Sequence, residues 1–455
     1  MSLLITLAAF AVALELLVVV HEGGHFAAAR FCGVKVLRFS LGFGPVIWKR
    51  TGKSGTEFAF SLLPLGGYVK MLDSRDPEHE AEALADPEHN FESKKLWQRA
   101  LIVFAGPFMN LALAVAIFWG IGIAGTYELS SRVAEPAAGT PAAMAGVKGG
   151  QYVTEVGGFE VAGYSDLQMK LLRCAGETTT ITVREKEDEK GENATRYEID
   201  LTSLGFDEDP SKANPMKKAG LLPWQGPVTL TEVVAGSAAE KAGLRSGDRV
   251  LEISGVPVEG AMDFVGAVRK AVGTEVRLAV EREGAREELS LTVPEEKDPK
   301  TGEKIGRIGV RVSGFPDIVF VRLGPADALV SGTAKLWDTT VLSLRVMGRM
   351  LVGDASVKNL SGPVAIADYA GRAAQVGLLS YLYFLAVMSV SLGILNLLPV
   401  PVLDGGYLAV YAFEFISGRR PSERAVALAQ RAGLALILLV TIIALANDVA
   451  RLTGG

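Results

Sequence analysis

Cysteine and histidine are scarce in this chain of 455 residues, which contains two cysteines and four histidines. Two cysteines cannot build a disulfide scaffold or a cysteine-rich zinc ribbon. An excess of basic charge is also missing, since 46 lysines and arginines face 51 aspartates and glutamates, a formal net charge of −5. This balance argues against a nucleic-acid-binding surface, and no long block of like charge marks a disordered tail.

Long uncharged runs dominate what is present. Hydrophobic residues make up 49% of the chain and charged residues 21%, and the mean hydropathy is positive at +0.29. Four segments approach or exceed the roughly 20 residues that cross the hydrocarbon core of a bilayer. They are Ser2–Val20, Ala100–Thr126, Val376–Leu403 and Ala425–Asn447. The sequence therefore predicts a polytopic α-helical membrane protein with four transmembrane helices.

The first segment also has features of a cleaved signal peptide, with Ala27–Ala29 as the cleavage site. A signal peptide begins with a basic region, but no lysine or arginine precedes Arg30. The apolar run is also too long for such a peptide, and it ends in His21 and Glu22. We therefore expect a retained membrane helix.

Basic residues beside the spans predict the orientation of the chain. Most follow the first span, precede the second, or separate the third from the fourth: Arg30, Lys35, Arg38, Lys94, Lys95, Arg99, Arg419, Arg420, Arg424 and Arg431. Those near the opposite ends are Arg132, Arg372 and Arg451. Both termini and residues 127–375 are therefore expected outside the cytoplasm. Cys32 and Cys174 would lie on opposite sides of the membrane and could not pair.

An internal repeat occupies the region between the second and third spans. At an offset of 97 residues, identical residues recur; in the first copy they include Gly139, Ala142, Ala145, Gly146, Gly150, Val153, Glu155, Gly158 and Val161. A period near 100 residues is one small domain rather than a solenoid unit. Each copy predicts a short helix (Thr140–Ala145, Ser237–Ala242), a glycine turn and strands that include Asp248–Ile253, Thr178–Arg184 and Val276–Glu281. We expect two α+β domains inserted between helices 2 and 3.

The segment Gly236–Asp248 closely resembles the PDZ family, and the first copy matches less well because Gln151 stands where the second copy has Asp248. PDZ domains bind an extended peptide or a C-terminus at a sheet edge. The alternative is a pair of folded spacers without ligands.

His21, Glu22 and His25 form an HExxH motif at the cytoplasmic end of the first span. On a helix the two histidines differ by about 40° of rotation, so both imidazoles reach one ion, and Glu22 can address a water on it. Zinc lowers the pKa of such a water to about 7, and a carboxylate base completes the deprotonation. Because these groups are costly beside an apolar run, a functional site is favoured over a structural histidine pair.

A catalytic zinc needs a third protein ligand and an open position. Three candidates lie in an acidic loop or a predicted strand: His79, His89 and Glu57. Asp404 is a better candidate because it is the only acidic or basic residue from 376 through 413, and Pro399 and Pro401 break the helix before it. Broken helices at membrane depth occur where they line a cavity. Asp404 could also cap the helix that starts near Gly405.

Together these residues resemble the site-2 protease family of intramembrane zinc metalloproteases. The matching stretches cover nearly the whole chain: HEGGH (21–25), Cys32–Val34, Phe39–Gly44, Gly66–Lys70, Gly106 and Pro107 with Asn110, Ser361–Pro363, and NLLPVPVLDGG (396–406). Two PDZ-like domains between the second and third spans are similar to the Gram-negative inner-membrane branch of this family, with the active site near the cytoplasmic side and the PDZ domains in the periplasm.

The resemblance implies zinc (Zn2+) held by His21, His25 and Asp404, with Glu22 as the general base. Three residues would contact the substrate segment: Asn396, Pro399 and Pro401. The implied substrates are single-span membrane proteins already trimmed outside the membrane, notably an anti-sigma factor, and remnant signal peptides. The PDZ pair would act as a size filter against untrimmed substrates. No nucleic acid is expected as a partner.

The loop after the first span has two strand-like segments, Val36–Trp48 and Glu57–Met71, joined by a turn-forming sequence. They predict a membrane-associated β-hairpin. An unwound substrate in lipid leaves backbone groups unpaired, and the Glu57–Met71 strand could pair with it, with Gly66 and Gly67 allowing close approach. Proline substitutions along residues 58–63 would then abolish cleavage with zinc content intact. The alternative is a purely structural hairpin.

These expectations divide the chain into five regions: 1–126 with helices 1 and 2, the hairpin and HExxH; 127–225 and 226–315 with the two PDZ-like domains; 316–375 as a periplasmic amphipathic linker; and 376–455 with helices 3 and 4. Within the linker, Leu329–Leu351 is expected to lie on the outer leaflet or to pack against the PDZ pair. Glu15 shares a helix face with Glu22, and it either lines the cavity or snorkels outward.

Two functions of other classes compete with proteolysis. In a non-enzymatic membrane adaptor, the PDZ-like domains would recruit partners and HExxH would be structural, but such a protein has no reason to keep Glu22 and Asp404. A metal transporter would need polar residues spread over its spans. Beyond the motif residues, the spans offer little except Glu15, Asn110 and Asn396.

Overall fold

The structure is a computed structural model that describes residues 3–185, 193–204, 214–297, 304–353 and 360–452. The chain divides into two compact units. We call Met1–Thr126 with Arg322–Gly455 the membrane unit, and Tyr127–Gly205 with Asn214–Val321 the inserted unit.

The elements follow one another along the chain. The first part of the membrane unit contains α1 (Leu3–Phe31), β1 (Val36–Thr51), β2 (Glu57–Met71), α2 (Glu80–Ala85), a 3-10 turn (Phe91–Ser93) and α3 (Leu96–Ala124). The inserted unit and the strand leading into it contain β3 (Thr126–Leu129), α4 (Pro141–Ala145), β4 (Tyr152–Val156), β5 (Phe159–Glu160), α5 (Tyr164–Arg173), β6 (Thr178–Arg184), β7 (Thr195–Asp200), α6 (Pro215–Ala219), β8 (Leu230–Val233), α7 (Ala238–Lys241), β9 (Arg249–Ile253), β10 (Val256–Pro257), α8 (Ala261–Lys270), β11 (Glu275–Arg282), β12 (Ala285–Thr292), β13 (Glu295–Lys297), β14 (Lys304–Gly306), β15 (Val310–Val312) and β16 (Ile318–Val321). The membrane unit ends with α9 (Pro325–Val352), α10 (Pro363–Val376), α11 (Leu378–Leu397), α12 (Asp404–Ser417) and α13 (Glu423–Leu452).

Within the described ranges, four helices are long and apolar enough to cross a membrane: α1, α3, α11 and the Arg424–Arg451 part of α13. They confirm the four predicted membrane helices. The third is shorter than the apolar run predicted, because α11 ends at Leu397 and α12 begins at Asp404. Pro399 and Pro401 lie between them, where a proline lacks the N–H that would continue the helix.

β1 and β2 form the predicted hairpin, and each strand also bends back on itself near its middle. The pair therefore folds into a sheet of four segments in the order 46–51, 57–61, 36–41 and 67–71. The bend in β2 depends on Gly66, which has a φ of 122°. A Cβ there would also lie 2.6 Å from the ring of Phe43, so a side chain would strain the backbone and displace that ring.

This folding corrects the expectation about residues 58–63. Residues 57–61 have neighbours on both sides, 36–41 and 46–51, so they cannot accept a further strand. Residues 67–71 are an edge, since their strand partners in the described chain are 36–41 alone. This edge lies against α1, because a Cβ on Gly67 would be 2.9 Å from Val18 and 3.2 Å from Glu22. We call residues 67–71 the site edge.

Helix α9 contains the predicted amphipathic segment but begins earlier, at Pro325. It packs against α3: Trp119 Nε1 donates a hydrogen bond to the carbonyl of Pro325 at 2.9 Å. A Cβ on Gly332 would lie 3.2 Å from the backbone nitrogen of Trp119, so the two helices approach closely. The helix thus has a partner inside the membrane unit, which neither expectation had included.

The inserted unit contains two four-stranded sheets with the same element order, β5-β4-β6-β7 and β10-β9-β11-β12. We call the sequence from α4 to α6 the first copy and that from β8 to β15 the second copy. Their short helices start alike, because the hydroxyls of Thr140 and Ser237 accept hydrogen bonds from backbone N–H groups three residues later. Strand β6 has the predicted bounds, β9 begins one residue later than predicted, and β11 is one residue longer at each end.

The two copies also share a backbone contact that lies outside the identical positions of the sequence repeat. Gly220 and Gly309 have φ angles of 79° and 82°, and each packs its backbone against the helix-capping residue of its own copy, Thr140 or Ser237. The core of the second copy is a cluster of buried apolar side chains that includes Phe264, which is 1% exposed.

Candidate metal centre

The last turns of α1 carry both histidines of the HExxH motif. His21 and His25 are each 9% exposed, and their Nε2 atoms lie 3.2 Å apart. Asp404, at the start of α12, places its Oδ2 atom 3.1 Å from His21 Nε2 and 3.6 Å from His25 Nε2. The structure thus brings together the three side chains that the sequence suggested as ligands.

The turn before α12 delivers Asp404 to this position. Val402 has a φ of 94°, a conformation that is rare for a β-branched residue and costs about 1–3 kcal/mol. The backbone of Gly405 and Gly406 lies against carbonyl groups at the end of α11 and in the turn, where a Cβ would collide. The two glycines therefore let α12 begin directly beside the end of α11.

Glycines also bring α1 and α3 together at the site. A Cβ on Gly24 would collide with the carbonyl of Ala105, and one on Gly106 would collide with the imidazole of His25. Gly24 and Gly106 are therefore needed for steric reasons: without side chains, they let the face of α1 that carries the histidines contact α3.

Each histidine has a second hydrogen bond that holds its ring. His25 Nδ1 lies 2.8 Å from the carbonyl oxygen of Ile102, which can only accept, so Nδ1 carries a proton and Nε2 of the neutral ring keeps its lone pair. His21 Nδ1 lies 3.2 Å from the side-chain amide of Asn110, which is fully buried. The sequence had assigned no role to Asn110; the signal was an amide in an otherwise apolar span.

Glu22 faces a cavity of about 280 Å³ that His25 and Asp404 also line. Its carboxylate accepts a hydrogen bond from the backbone N–H of Val69, in the site edge. The cavity also reaches Tyr411, and burial raises the pKa of this residue to about 12. A carboxylate base and room for water therefore lie beside the three donor atoms.

The donor set fits a zinc ion. Four tetrahedral ligands at about 2.0–2.1 Å from zinc lie roughly 3.3 Å from one another. The three donor atoms are 3.1–3.6 Å apart. Two imidazole nitrogens and a carboxylate oxygen that face one point are also the ligand types that zinc accepts.

The other ligand candidates are engaged elsewhere: Glu57 with Arg38 and Lys49, His79 with Asp76, and His89 with Asp86. Both carboxylate oxygens of Glu15 are enclosed by protein, without a hydrogen-bond partner in the described chain. Glu15 therefore does not reach the outer surface, as snorkelling would require.

The five residues expected to contact substrate occupy three places. Asn396 lies in the last turn of α11, and Pro399 and Pro401 lie in the turn that leads to Asp404. Gly66 forms the bend of β2, and Gly67 begins the site edge beside Glu22. Gly67 thus lies next to the side chain of Glu22, Gly66 precedes it in the bend, and the prolines shape the turn that holds Asp404.

Comparison with known proteins agrees with this geometry. The model of peptidase family M50 matches residues 9–440. The chain is 41% identical to the regulator of sigma-E protease RseP of Escherichia coli over 463 residues, which cover 99% of this chain and all of that one. It is 38% identical to a candidate zinc metalloprotease of Ralstonia nicotianae, with 99% of each chain covered.

Among solved structures, the PDZ domain of an SdrC-like protein of Listeria monocytogenes matches 19% of this chain and 86% of its own, at 21% identity and a TM-score of 0.17. That score is too low to support a conclusion about the fold. The full-length matches and the family model, in contrast, establish the family. The chain belongs to peptidase family M50, and it is an intramembrane metalloprotease of the site-2 type.

Proposed function

We propose that this protein is a zinc-dependent endopeptidase that cleaves the transmembrane segments of single-span membrane proteins. The observation that carries the proposal is the convergence of His21, His25 and Asp404 beside Glu22 at the end of an apolar helix. A bound zinc ion would lower the pKa of water and polarise the scissile carbonyl.

The protein residues would divide the remaining work among themselves. His21, His25 and Asp404 would hold the ion through Nε2, Nε2 and Oδ2. The carboxylate of Glu22 would take the proton of the attacking water and pass it to the leaving amine nitrogen. The hydrogen bond from the Val69 N–H would hold that carboxylate toward the cavity.

The substrate would bind as an added strand on the site edge. A substrate helix hides its peptide bonds in hydrogen bonds, so it must unwind, and its backbone groups then need partners in lipid. Since the N–H of Val69 points toward Glu22, the outward-facing backbone groups of the site edge lie next to the base. Asn396, Pro399 and Pro401 would contact the same segment, and Gly66 and Gly67 would leave room for it.

The substrates we propose are proteins already trimmed outside the membrane: an anti-sigma factor of an envelope stress response and remnant signal peptides. The name of the Escherichia coli relative, a regulator of sigma-E protease, supports the first of these. The protein would reside in a Gram-negative inner membrane. Its active site would be near the cytoplasm, with the inserted unit and both termini in the periplasm, as the basic residues beside the spans favour.

The two copies in the inserted unit would be PDZ domains, at about 127–225 and 226–315, between a membrane region at 1–126 and a linker and membrane region at 316–375 and 376–455. The second copy has a groove of about 390 Å³ between α8 and residues 305–312, where a peptide or C-terminus could bind. Together the copies would exclude substrates that still carry a large outer domain.

Cleavage of a single-span reporter in liposomes tests the proposal, with wild type compared with Glu22→Gln and zinc measured in both. We expect cleavage by the wild type alone and equal zinc in the two proteins, because Glu22 is a base and not a ligand. If the wild type holds zinc but cleaves none of several trimmed reporters, the non-enzymatic PDZ adaptor becomes the better account. If neither protein holds metal, the ligand assignment is wrong.

A further inference from the structure

Asn110 lies where three helices of the membrane unit meet. It belongs to α3, and its backbone carbonyl accepts a hydrogen bond of 2.7 Å from the hydroxyl of Ser389 on α11. Its side-chain amide faces Nδ1 of His21 on α1 at 3.2 Å. Both Asn110 and Ser389 are fully buried. A single residue thus connects the third membrane helix to a histidine of the donor cluster.

The polarity of this amide decides which His21 nitrogen carries a proton. With the amide nitrogen toward His21, Nδ1 accepts, and the proton of a neutral ring sits on Nε2, which faces Asp404. A protonated Nε2 cannot bind a metal ion.

The opposite orientation gives His21 the protonation state of a ligand. A rotation of 180° about the Cβ–Cγ bond exchanges the oxygen and nitrogen of the amide and needs no backbone movement. Oδ1 then accepts the Nδ1–H of His21, and Nε2 keeps its lone pair. His25 already has this state, because the Ile102 carbonyl accepts its Nδ1–H at 2.8 Å. Metal-bound histidines commonly donate their other N–H to such an acceptor.

We propose that Asn110 is a positioning residue for the metal centre, whose side-chain carbonyl accepts the Nδ1–H of His21 when a divalent cation is bound. The inference rests on the proposed function, because it assumes that His21 is a ligand. It goes further in assigning a supporting role to a residue that touches neither the ion nor the substrate.

Zinc affinity of the full-length protein, measured by competition with a chelator, tests the proposal in three variants. Asn110→Leu removes the acceptor, and we expect zinc to bind about 10–100-fold more weakly. Asn110→Asp keeps an oxygen acceptor and has no N–H, so it should bind zinc at least nearly as well as the wild type. Ser389→Ala is the matched control: it removes the buried hydrogen bond to the Asn110 backbone and leaves the amide, so zinc affinity should be unchanged.

Two results would overturn the proposal: unchanged affinity in Asn110→Leu, or a loss in Asn110→Asp as large as in Asn110→Leu. The second would mean that His21 needs an N–H donor. If Asn110→Leu does not fold, nitrogen-15 NMR of His21 in zinc-loaded wild type decides, since a proton on Nδ1 supports the proposal and a proton on Nε2 contradicts it. Wild type that binds no zinc would instead refute the metal centre itself, together with this inference.

Discussion

Asp404 in the membrane unit and Asp248 in the inserted unit are both withdrawn from solvent, but their partners differ in kind. The side chain of Asp248 is 1% exposed, and it accepts two hydrogen bonds of 2.7 Å from Arg282 and one of 2.8 Å from the backbone N–H of Arg245. The side chain of Asp404 is 19% exposed and faces two imidazole Nε2 atoms. N–H donors of the chain itself satisfy Asp248, whereas Asp404 faces two imidazole nitrogens, which together with its carboxylate are ligand types that a metal ion accepts. The type of hydrogen-bonding partner, more than the degree of burial, therefore distinguishes the structural carboxylate Asp248 from the candidate metal ligand Asp404.

The largest effect should come from removing the membrane carboxylate. In Asp404→Asn, we expect bound zinc to be lost and the cleavage rate to fall more than about a thousandfold, because an amide is a poor ligand for zinc. Zinc analysis and reporter cleavage measure both effects. Hydrogen exchange in β9 and β11 of the inserted unit should remain unchanged. Retained zinc in this variant would contradict the contrast between the two carboxylates.

The matching substitution in the inserted unit should affect stability and leave zinc binding and cleavage unchanged. Asp248→Asn should lower the free energy of unfolding of the second copy by about 1–3 kcal/mol, since Arg282 loses a charged hydrogen-bond partner. Hydrogen exchange of β9 and β11 reports this loss. Zinc content and cleavage of a short reporter should match the wild type. A fall in zinc content would mean that the two carboxylates are not independent.

The two copies of the inserted unit differ at this same place. Gln151 occupies the position of Asp248, and Glu185 occupies that of Arg282, at the offset of the repeat. The amide oxygen of Gln151 accepts the backbone N–H of Lys148 at 2.9 Å, and its nitrogen donates to Glu185 at 2.8 Å. The hydrogen bond from the backbone is kept, but the side-chain hydrogen bond reverses its direction and the ion pair is lost.

Acid should therefore weaken the second copy through a group that the first copy lacks. Burial pushes the pKa of Asp248 upward, but hydrogen bonds from Arg282 and the Arg245 backbone outweigh it and hold the pKa below its usual range. Because the folded pKa lies below the unfolded value of about 3.9, Asp248 stabilises the fold at neutral pH, and this contribution is lost as the pH falls below about 4.

Hydrogen exchange between pH 5 and pH 3, corrected for the intrinsic pH dependence of exchange, measures this difference. We expect β11 to lose more protection than β6, and the difference to shrink in Asp248→Asn. Equal losses in the two wild-type strands would show that the Asp248 ion pair does not set the acid stability of the second copy.

The smallest effect concerns Tyr164, the first residue of α5 in the first copy. Tyr164 donates its hydroxyl to the carbonyl of Leu221 at 2.9 Å, whereas the second copy has Ala261 at the equivalent position. Tyr164→Phe should destabilise the first copy by about 1 kcal/mol. Hydrogen exchange of β4 and β6 measures the change, and cleavage should be unaffected. Faster hydrogen exchange in the second copy alone would contradict a role of the Tyr164 hydroxyl in stabilising the first copy.

The structural features that the sequence predicted are those that short stretches of the chain determine. Helix periodicity alone places His21 and His25 on one face of α1, and the prolines before Asp404 mark the break that ends α11. The two-copy arrangement was visible because identical residues recur at one offset. Four apolar runs were enough to predict four membrane helices, since hydrocarbon thickness sets their length.

The parts that were missed depend on packing between distant segments. The hairpin folds into four segments because its strands bend near Gly42 and Gly66, which both have positive φ angles. The alternation of apolar and polar residues along a strand does not reveal such bends. The contact of α9 with α3 depends on small residues such as Gly332, which carry no periodic signal. The bond between Asn110 and His21 joins residues 89 positions apart, which no local pattern can connect.

X-ray absorption at the zinc edge of the zinc-loaded wild-type protein tests the central claim most directly, because it reports the ligand atoms themselves. The proposed centre predicts two imidazole nitrogens at about 2.0–2.1 Å and oxygen ligands at about 2.0–2.2 Å, without sulfur. A sulfur ligand at about 2.3 Å, or a spectrum without two imidazoles, would contradict the assignment of His21, His25 and Asp404.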